Sequence, residues 1–321
     1  MTRRALVTGG AGFIGSHVAD ALLEQGYSVD IVDNFSSGDR RNVPAAATLH
    51  EMDITSSDAA RLIRESRFDA ICHLAAQIDV RKSVADPAFD ASVNVGGTLN
   101  LIEAVRQSGH PTRFVFSSTG GAIYGDFVSV PTEERAPKDP ESPYGVAKLS
   151  AEYYLAYYAR VHGLDTVALR YSNVYGPRQN PHGEAGVVAI FCTRILEGTP
   201  LTVFGEGLQT RDYVYAVDVA QANVAAASRP LARPAQLDVR AYNVGTSRQT
   251  TVLDLANGLR RAAASDVPVQ HAPARTGEQQ RSAIVVDKAA KELGWQPKVQ
   301  LEEGLRLTYE FFAARHREKH A

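Results

Sequence analysis

A glycine-rich turn near the start of the chain restricts the possible folds more than any other feature. It follows an apolar run at residues 4–8 that predicts a buried strand, and it precedes a segment with helical spacing at 14–23. The turn contains Gly9, Gly12 and Gly15. Glycine lets the backbone approach a pyrophosphate, and a helix N-terminus offers free N–H groups and a positive dipole end. A strand, a glycine turn and a helix in this order predict a mononucleotide-binding unit, although such a turn can also be purely structural.

Strands and helices alternate through the first half of the chain. Apolar runs predict strands at 4–8, 28–33, 49–54, 70–76 and 113–117. Helical spacing predicts helices at 14–23, 58–66, 91–108 and 146–162. The alternation predicts an α/β fold with a doubly wound, Rossmann-like parallel sheet, and we expect it to form an NAD-binding domain at residues 1–172.

The pattern changes after residue 172, where turn-rich loops separate short elements. Helices are predicted at 187–196, 214–227, 253–264, 288–293 and 301–315, and strands at 201–204 and 241–245. We expect residues 173–321 to form mainly a smaller α/β domain that binds the substrate. Segments at about 214–245 are expected to return to the first domain.

The second predicted strand ends in an acid, Asp33. A carboxylate there can accept hydrogen bonds from the ribose hydroxyls of NAD and would repel the 2′-phosphate of NADP. Arg40 and Arg41 follow Asp33, and their positive charges favour NADP. We give Asp33 more weight in the choice of cofactor because it ends the strand. Asp53 ends the third predicted strand and can meet the adenine. We therefore expect NAD as the cofactor.

A tyrosine and a lysine stand four residues apart near the start of the helix predicted at 146–162. Ser142 and Pro143 match an N-cap and a first helical position, so Tyr144 and Lys148 should share one helix face. An ammonium group lowers the pKa of a neighbouring phenol, which then can serve as acid or base. An isolated pair of this kind is more often a coincidence of spacing on a surface helix.

The fifth predicted strand brings Thr119 to the carboxyl edge of the sheet, where ligands bind in open α/β folds. Its hydroxyl can hold a substrate oxygen, the phenol of Tyr144 can move a proton, and Lys148 can hold the nicotinamide ribose. Hydride transfer needs such a set because the alcohol proton must leave as hydride leaves carbon. The three residues together predict a hydride-transfer site.

Composition and charge argue against several classes of protein. The net charge of −2 gives no strong attraction to nucleic acid or anionic lipid, and we find neither metal-ligand spacing nor an 18-residue apolar stretch. Cys72 and Cys192 lie in apolar runs and are expected to be reduced core residues. His73 is expected to be hydrogen-bonded within the sheet. Without a signal-peptide pattern, we expect a cytoplasmic protein with no metal, nucleic-acid or membrane partner.

Motifs along nearly the full chain resemble those of one enzyme family. They are Val7-Thr-Gly-Gly-Ala-Gly-Phe-Ile-Gly15, Val32-Asp-Asn34, His73-Leu-Ala-Ala76, Phe116-Ser-Ser-Thr119, Tyr144-x-x-x-Lys148, Leu169-Arg-Tyr-x-Asn173, Thr210-Arg-Asp-Tyr213 and Leu293-Gly-Trp295. The chain resembles the extended short-chain dehydrogenase/reductases, and more narrowly the nucleotide-sugar 4-epimerases of the UDP-galactose 4-epimerase type.

The resemblance implies a role for many individual residues. Tyr144 is implied as the base for the sugar 4-hydroxyl, Lys148 as the ligand of the nicotinamide ribose, and Thr119 as the hydrogen-bonding partner of the sugar oxygen. An extra residue in the following loop leaves open whether Ser118 or Thr119 takes that last role. The cofactor residues implied are Gly9, Gly12, Phe13, Ile14, Asp33, Asn34, Ser37, Gly38, Asp53, Ile54, Leu74, Ala75, Ala76, Gln77, Tyr144 and Lys148. The substrate residues implied are Ser118, Thr119, Tyr144, Asn173, Val188, Thr202, Phe204, Arg211, Arg275, Glu278 and Ser282.

The resemblance implies epimerization at C4 of a UDP-sugar through a transient 4-keto intermediate. Related dehydratases and decarboxylases carry acids after the fifth-strand threonine, whereas this chain has Gly120 and Gly121. Related UDP-glucuronate epimerases carry a threonine in place of Asn173 and an arginine near Asn180, and this chain has neither. A small residue at the position of Ser282 goes with tolerance of N-acetylated sugars in the family.

These comparisons favour UDP-glucose and UDP-galactose as the substrate pair, with UDP-GlcNAc and UDP-GalNAc as a further pair. The alternatives are a UDP-glucuronate 4-epimerase, another nucleotide-sugar dehydratase or reductase, and a non-catalytic NAD-binding regulator. The family also forms dimers through a seam of four helices. The helices predicted at 91–108 and 146–162 have apolar, tyrosine-rich faces that suit such a homodimer, although part of these faces packs on the sheet.

Overall fold

The computed structural model describes residues 2–181, 186–233, 236–274 and 279–320. Its strands are β1 (Arg4–Thr8), β2 (Ser28–Asp33), β3 (Thr48–Glu51), β4 (Ala70–His73), β5 (Arg113–Thr119), β6 (Asp165–Tyr171), β7 (Asn173–Tyr175), β8 (Leu201–Phe204), β9 (Thr210–Arg211), β10 (Tyr213–Tyr215), β11 (Ala241–Val244), β12 (Thr250–Thr251) and β13 (Val269–Ala272). Its α-helices are α1 (Phe13–Glu24), α2 (Ser57–Glu65), α3 (Val80–Ala85), α4 (Pro87–Ala91), α5 (Thr98–Ser108), α6 (Pro143–His162), α7 (Val187–Leu196), α8 (Ala216–Ser228), α9 (Val252–Ala262) and α10 (Leu301–His320). Shorter helical turns lie at Arg40–Asn42, Ser92–Gly97, Leu237–Arg240 and Ala289–Leu293.

A parallel sheet of seven strands in the order β11-β6-β5-β4-β1-β2-β3 forms the centre of the molecule. Thr8 at the end of β1 lies opposite Val32 of β2 and His73 of β4. The chain leaves β1 towards β2 on one side and continues through β4 on the other, so the strand order reverses between β1 and β4. Ligands bind at such a reversal, outside the carboxyl ends of the strands. The predicted doubly wound α/β sheet is confirmed.

Helices cover both faces of this sheet. On one face α1 and α8 pack through Val18, Leu22 and Val219, and on the other α5 and α6 pack through Leu101 and Leu155. All five side chains are buried. Strands covered on both faces need apolar residues at successive positions, which explains the continuous apolar runs in the sequence.

Helices α7, α9 and α10 form a separate apolar cluster around Phe191, Leu255 and Leu305. Three short strand pairs accompany them, β7 with β10, β8 with β13, and β9 with β12. In contrast, β11 pairs with β6 in the main sheet, and α8 shares the apolar cluster of α1. The chain therefore enters the second region after β6 and crosses back to the sheet before it leaves again.

The helix predicted at 91–108 is three consecutive pieces, namely α4, the π-helical turn Ser92–Gly97, and α5. The turn brings the backbone close to Ile54, because a Cβ atom on Gly97 would lie 2.6 Å from the Ile54 Cδ1 atom. The predicted strand 49–54 ends at Glu51 and the predicted strand 70–76 at His73, so their final residues lie in the following loops. The helix predicted at 214–227 begins with strand β10 instead, since residues 213–215 pair with β7.

Helix α6 begins as the sequence predicts. The side chain of Ser142 accepts a hydrogen bond from the Gly145 backbone N–H at 3.2 Å, and Pro143 is the first helical residue. This cap fixes the start of the helix and so the direction of the two residues that follow it, Tyr144 and Lys148.

Cys72 and Cys192 are buried free thiols, as predicted. Within the described ranges, no helix is long and apolar enough to cross a bilayer. No group of three or more histidine, cysteine and acidic side chains in the same part of the chain could hold a metal ion.

Candidate active site

The glycine turn is packed so tightly that side chains are excluded from it. Gly9 has a φ of +71°, and a Cβ atom there would lie 2.8 Å from the Ala75 backbone nitrogen. A Cβ atom on Gly15 would lie 2.1 Å from the Gly9 carbonyl oxygen. Gly12 is the N-cap of α1 and provides no side-chain cap, so the first helical turn, with Phe13 and Ile14, is accessible to an anionic ligand. The turn is therefore a cradle in which a ligand can approach the backbone.

Asp33 lies at the end of β2, next to this cradle. Its Oδ2 atom accepts a hydrogen bond from the Ala11 N–H at 3.0 Å and its Oδ1 atom one from the Phe35 N–H at 2.8 Å. The residue is buried, and Gly38 packs against it so closely that a Cβ atom there would lie 2.9 Å from Oδ1. The neighbouring Ser37 is exposed. The carboxylate is thus held in one orientation at the place expected for the adenosine ribose.

The two arginines that favoured NADP are both paired with acids. Arg40 forms an ion pair with Glu51 and stacks on the ring of Phe35, with 4.3 Å between the guanidinium carbon and the ring centre. Arg41 pairs with Asp39 at 2.6 Å. A 2′-phosphate would have to compete with these carboxylates, which agrees with NAD.

Asp53 follows β3 and accepts hydrogen bonds from the side chain of Asn34 at 2.7 Å and the N–H of Thr55 at 2.8 Å. Burial raises the pKa of Asp53, but the hydrogen bonds from Thr55 and Asn34 outweigh it and hold the pKa below its ordinary value. Ile54 is buried, and its carbonyl accepts a hydrogen bond from Asn100 at 2.7 Å. Asn34 and Asp53 thus form one polar rim beside Asp33.

The loop after β4 passes over the glycine turn. Leu74, Ala75 and Ala76 are half-buried, and the Ala75 N–H donates to the Thr8 hydroxyl at 3.2 Å. His73 lies below them, between the hydroxyls of Thr8 at 2.7 Å and Thr98 at 3.0 Å. Burial, and to a smaller extent the nearby charge of Lys148, lower the pKa of His73 to about 3. His73 is a neutral sheet histidine, as predicted.

The side chain of Asn94 clamps the backbone of Gln77. Its amide group donates to the Gln77 carbonyl at 2.9 Å, and its carbonyl oxygen accepts from the Gln77 N–H at 2.9 Å. Asp90 in turn accepts hydrogen bonds from Asn94 at 3.0 Å and from the Gln77 side chain at 2.9 Å. The segment expected to line the cofactor is therefore fixed from below by the α4 region.

Lys148 lies on the buried face of α6 and reaches the end of β5. Its ammonium donates to the Ser117 carbonyl at 2.9 Å and lies 5.9 Å from the centre of the Tyr144 ring. Burial lowers the pKa of Lys148, the charges of Asp90 and Glu152 offset part of that effect, and the resulting pKa is about 8. Tyr144 is half-buried, and its backbone N–H donates to the Ser83 hydroxyl at 3.3 Å. The pair shares one helix face, as predicted.

The neighbouring hydroxyls of Ser118 and Thr119 lie in different environments. Ser118 is buried and donates to the Glu152 carboxylate at 2.5 Å. Thr119 is half-buried at the last position of β5, and a Cβ atom on Gly121 would lie 3.9 Å from its hydroxyl oxygen. Adjacent strand residues point to opposite faces, so only one of the two can face a ligand at the sheet edge. The environments favour Thr119.

The other predicted substrate residues lie in the second region. Asn173 has an exposed side chain, and its backbone N–H donates to the Asp212 carbonyl at 2.9 Å. Val188 is fully buried in the first turn of α7, so a ligand there would meet backbone N–H groups rather than this side chain. Thr202 accepts a hydrogen bond from the guanidinium of Arg194.

Phe204 and Arg211 are half-buried, and Arg211 donates to the Thr210 carbonyl at 2.9 Å. Ser282 is half-buried and also contacts Thr210, through its backbone N–H at 3.1 Å. Arg275 and Glu278 lie outside the described residues.

A buried ionic network under the site was missed by the sequence interpretation. Arg170 of β6 is fully buried and donates to Glu152 at 2.6 Å, to Asp238 at 2.8 Å and to the Tyr124 hydroxyl at 3.0 Å. Burial alone would lower the pKa of Arg170, but Glu152 raises it above its ordinary value. The available signal was the position of Glu152, one helical turn after Lys148 on the same face.

Residues 5–245 match the model of the NAD dependent epimerase/dehydratase family. The chain belongs to this family. The family description specifies NAD as the cofactor. The structure fits NAD, because the glycine cradle has no space for side chains and Asp33 is held in one orientation beside it. An epimerase/dehydratase also needs acid–base groups next to its cofactor, and Tyr144, Lys148 and Thr119 lie at the same sheet edge.

The chain is similar to a UDP-glucose 4-epimerase of Mycolicibacterium smegmatis, with 44% identity over 96% of this chain and 98% of that protein. A crystal structure of a UDP-glucose 4-epimerase from Thermotoga maritima with UDP-glucose has a TM-score of 0.92 and 47% identity, covering 98% of this chain and 99% of that one. A Thermus thermophilus UDP-glucose 4-epimerase in complex with NAD has a TM-score of 0.88 and 44% identity, covering 97% and 99%. A UDP-N-acetylglucosamine 4-epimerase from Methanobrevibacter ruminantium, in complex with UDP-N-acetylmuramic acid, has a TM-score of 0.90 and 32% identity, covering 98% and 99%.

Proposed function

We propose that the protein is an NAD-dependent UDP-sugar 4-epimerase that interconverts UDP-glucose and UDP-galactose. The observation that carries the proposal is the meeting of Tyr144 and Lys148 on one face of α6 with Thr119 at the end of β5, beside the glycine cradle. The similarity to UDP-glucose 4-epimerases over nearly the whole chain supports the same sugar pair.

When bound, NAD would supply the acceptor for the hydride from C4 of the sugar and the donor for its return. Tyr144 accepts the proton of the C4 hydroxyl and gives it back when the C4–H bond forms again on the other face. The cation of Lys148 stabilises negative charge on the Tyr144 oxygen, and Thr119 holds the C4 oxygen by a hydrogen bond. Protons balance over the cycle, so Tyr144 alone suffices as acid and base.

The residues after Thr119 support epimerization over dehydration. Dehydration needs a further proton donor, and Gly120 and Gly121 offer none. A Cβ atom on Gly120 would lie 2.9 Å from the Ile284 Cδ1 atom, so Ile284 also obstructs a side chain there. The same features argue against a reductase or dehydratase, while intact Tyr144 and Lys148 argue against a non-catalytic regulator.

The assignment of individual residues is part of the proposal. The glycine cradle, Asp33, the Asn34–Asp53 rim and the loop at 74–77 would bind NAD, and the second region would bind the nucleotide of the substrate. The small side chain of Ser282 supports tolerance of an N-acetyl group, and the similar fold of a UDP-N-acetylglucosamine 4-epimerase supports that wider range. The exposed Asn173 offers no positive charge to the carboxylate of UDP-glucuronate.

We include a cytoplasmic homodimer in the proposal. Tyr153, Tyr154, Tyr157 and Val161 are exposed on α6, and Val161 is 59% exposed. A four-helix seam between two chains would cover them. Light scattering should give the mass of two chains, and Tyr157→Glu should give one. A matched Phe127→Ser change at another exposed apolar residue should leave the dimer intact. A natural protein that has the mass of one chain would refute the proposed dimer.

The test is the product mixture from a panel of UDP-sugars without added NAD. UDP-glucose should yield UDP-galactose and the reverse, because we expect NAD to remain bound to the protein through purification. UDP-GlcNAc should yield UDP-GalNAc, and UDP-glucuronate should remain unchanged. Formation of a stable 4-keto-6-deoxy product would identify a dehydratase, and no turnover of any sugar would refute the proposal.

A further inference from the structure

Asp90 is a buried acid that the proposed mechanism does not use. It lies on α4 and is 1% exposed. Its Oδ1 atom accepts the two amide hydrogen bonds from Gln77 and Asn94, at 2.9 and 3.0 Å. Its Oδ2 atom is buried and has no hydrogen-bond partner among the described residues. A buried carboxylate with one uncompensated oxygen is costly unless an opposite charge lies nearby.

Helix α4, which carries Asp90, packs against helix α6, which carries the cation Lys148. Lys148 is buried. The negative charge of Asp90 favours its ammonium form most, and that of Glu152 favours it less. Glu152 is itself neutralised by Arg170 at 2.6 Å, whereas no ion pair is found for Asp90 in the described ranges. The other titratable groups around Lys148 are the neutral His73 of β4 and Tyr144 of its own helix. Among the residues that the structure describes, Asp90 is thus a buried acid on a helix packed against α6 that forms no ion pair with another cation.

We propose that Asp90 is a positioning residue for the Tyr144–Lys148 pair, and that from the buried side of α4 it provides the counter-charge to the Lys148 ammonium during the proposed reaction. The inference rests on the proposed function for its catalytic meaning, but the Asp90–Lys148 coupling itself does not. Asn94 connects the same carboxylate to both backbone polar groups of Gln77. Asp90 therefore joins the helix that carries the acid–base pair to the loop expected to line the cofactor.

The pH dependence of kcat tests the catalytic part. Asp90→Asn keeps the size and the oxygen acceptor but removes the charge, so Lys148 should lose its proton at lower pH. The alkaline limb of the kcat profile should move to lower pH by about half to one unit. The matched control Glu141→Gln removes an exposed charge just before α6 and should leave the alkaline limb of the kcat profile at its natural pH. An unmoved limb in Asp90→Asn overturns the inference, since a merely structural loss would lower kcat equally at all pH values.

Thermal unfolding tests the coupling without turnover. The natural protein, Asp90→Asn, Lys148→Met and the double variant form a cycle at pH 7. The double variant should melt roughly 2–4 °C above the value obtained by adding the two single changes, because it removes both buried charges together. Additive changes overturn the inference. If Asp90→Asn alone does not fold, a folded double variant supports the coupling and an unfolded one overturns it. The cycle remains readable even if no UDP-sugar is epimerized.

Discussion

The ammonium of Lys148 donates a hydrogen bond to the backbone carbonyl of Ser117 at 2.9 Å. This bond joins α6 to the carboxyl end of β5, two residues before Thr119. Tyr144 and Thr119 come from different elements, and their relative position depends on that connection. The acid–base pair is therefore positioned by the central sheet, which also positions the glycine cradle.

Thr119→Val should lower kcat by roughly tenfold to a hundredfold, since one hydrogen bond to a developing negative charge contributes about 1.5–3 kcal/mol. Ser118→Ala removes a hydrogen bond to Glu152 and should cost about 1 kcal/mol of stability with a much smaller loss of kcat. Steady-state kinetics and urea unfolding measure the two effects. The reverse ranking of the two kcat values would place Ser118 at the sugar.

Gly9→Ala should abolish tight NAD binding. Its φ of +71° strains any side chain, and the new Cβ atom would also collide with Ala75. Gly163→Ala is a matched control, because Gly163 has a φ of +69° with no atom within 4 Å of the new Cβ. Both variants should lose roughly 1 kcal/mol of stability from the backbone strain, Gly9→Ala should lose more because of its collision with Ala75, and only Gly9→Ala should lose its cofactor. The measurement is the amount of NAD bound per chain after purification. Full retention of NAD in Gly9→Ala would contradict a role of the glycine cradle in binding NAD.

Arg170→Met should lower the free energy of unfolding by about 3–5 kcal/mol, because it leaves the buried Glu152 without its cation. Arg170→Met combined with Glu152→Met should recover part of this loss. Arg306 of α10 pairs with Glu303 and Glu310 at the surface, so Arg306→Met should have a far smaller effect. Denaturant unfolding of these variants measures the differences, and equal losses for Arg170→Met and Arg306→Met would contradict a structural role for the network.

Local patterns were sufficient for most of the first domain. The apolar run, the glycine turn and the helix that follows it are close in sequence, and the predicted strands 4–8 and 28–33 agree with β1 and β2. The cap at Ser142 likewise fixes the start of α6 through residues three positions away. Such features depend on neighbours along the chain, which is why the sequence alone predicts them.

Features that depend on distant residues could not be predicted in this way. The hydrogen bond that engages Ser118, and so favours Thr119 as the partner of the substrate, is accepted by Glu152, which lies 34 residues further on. The π-helical turn after α4 packs its backbone closely against Ile54, which belongs to another loop. Asp90 lies just before the helix predicted at 91–108, and only the folded chain buries it on a helix that packs against α6.

The central claim is that Tyr144 moves the proton of the sugar 4-hydroxyl. The most direct measurement is kcat for UDP-glucose with Tyr144→Phe, together with the NAD content of the purified variant. Tyr153→Phe removes the hydroxyl of a tyrosine that is 56% exposed on the same helix and serves as the control. Tyr144→Phe should retain NAD and lose kcat by roughly 10²- to 10⁴-fold, whereas Tyr153→Phe should keep the natural rate. An unchanged rate in Tyr144→Phe with NAD bound would contradict the account.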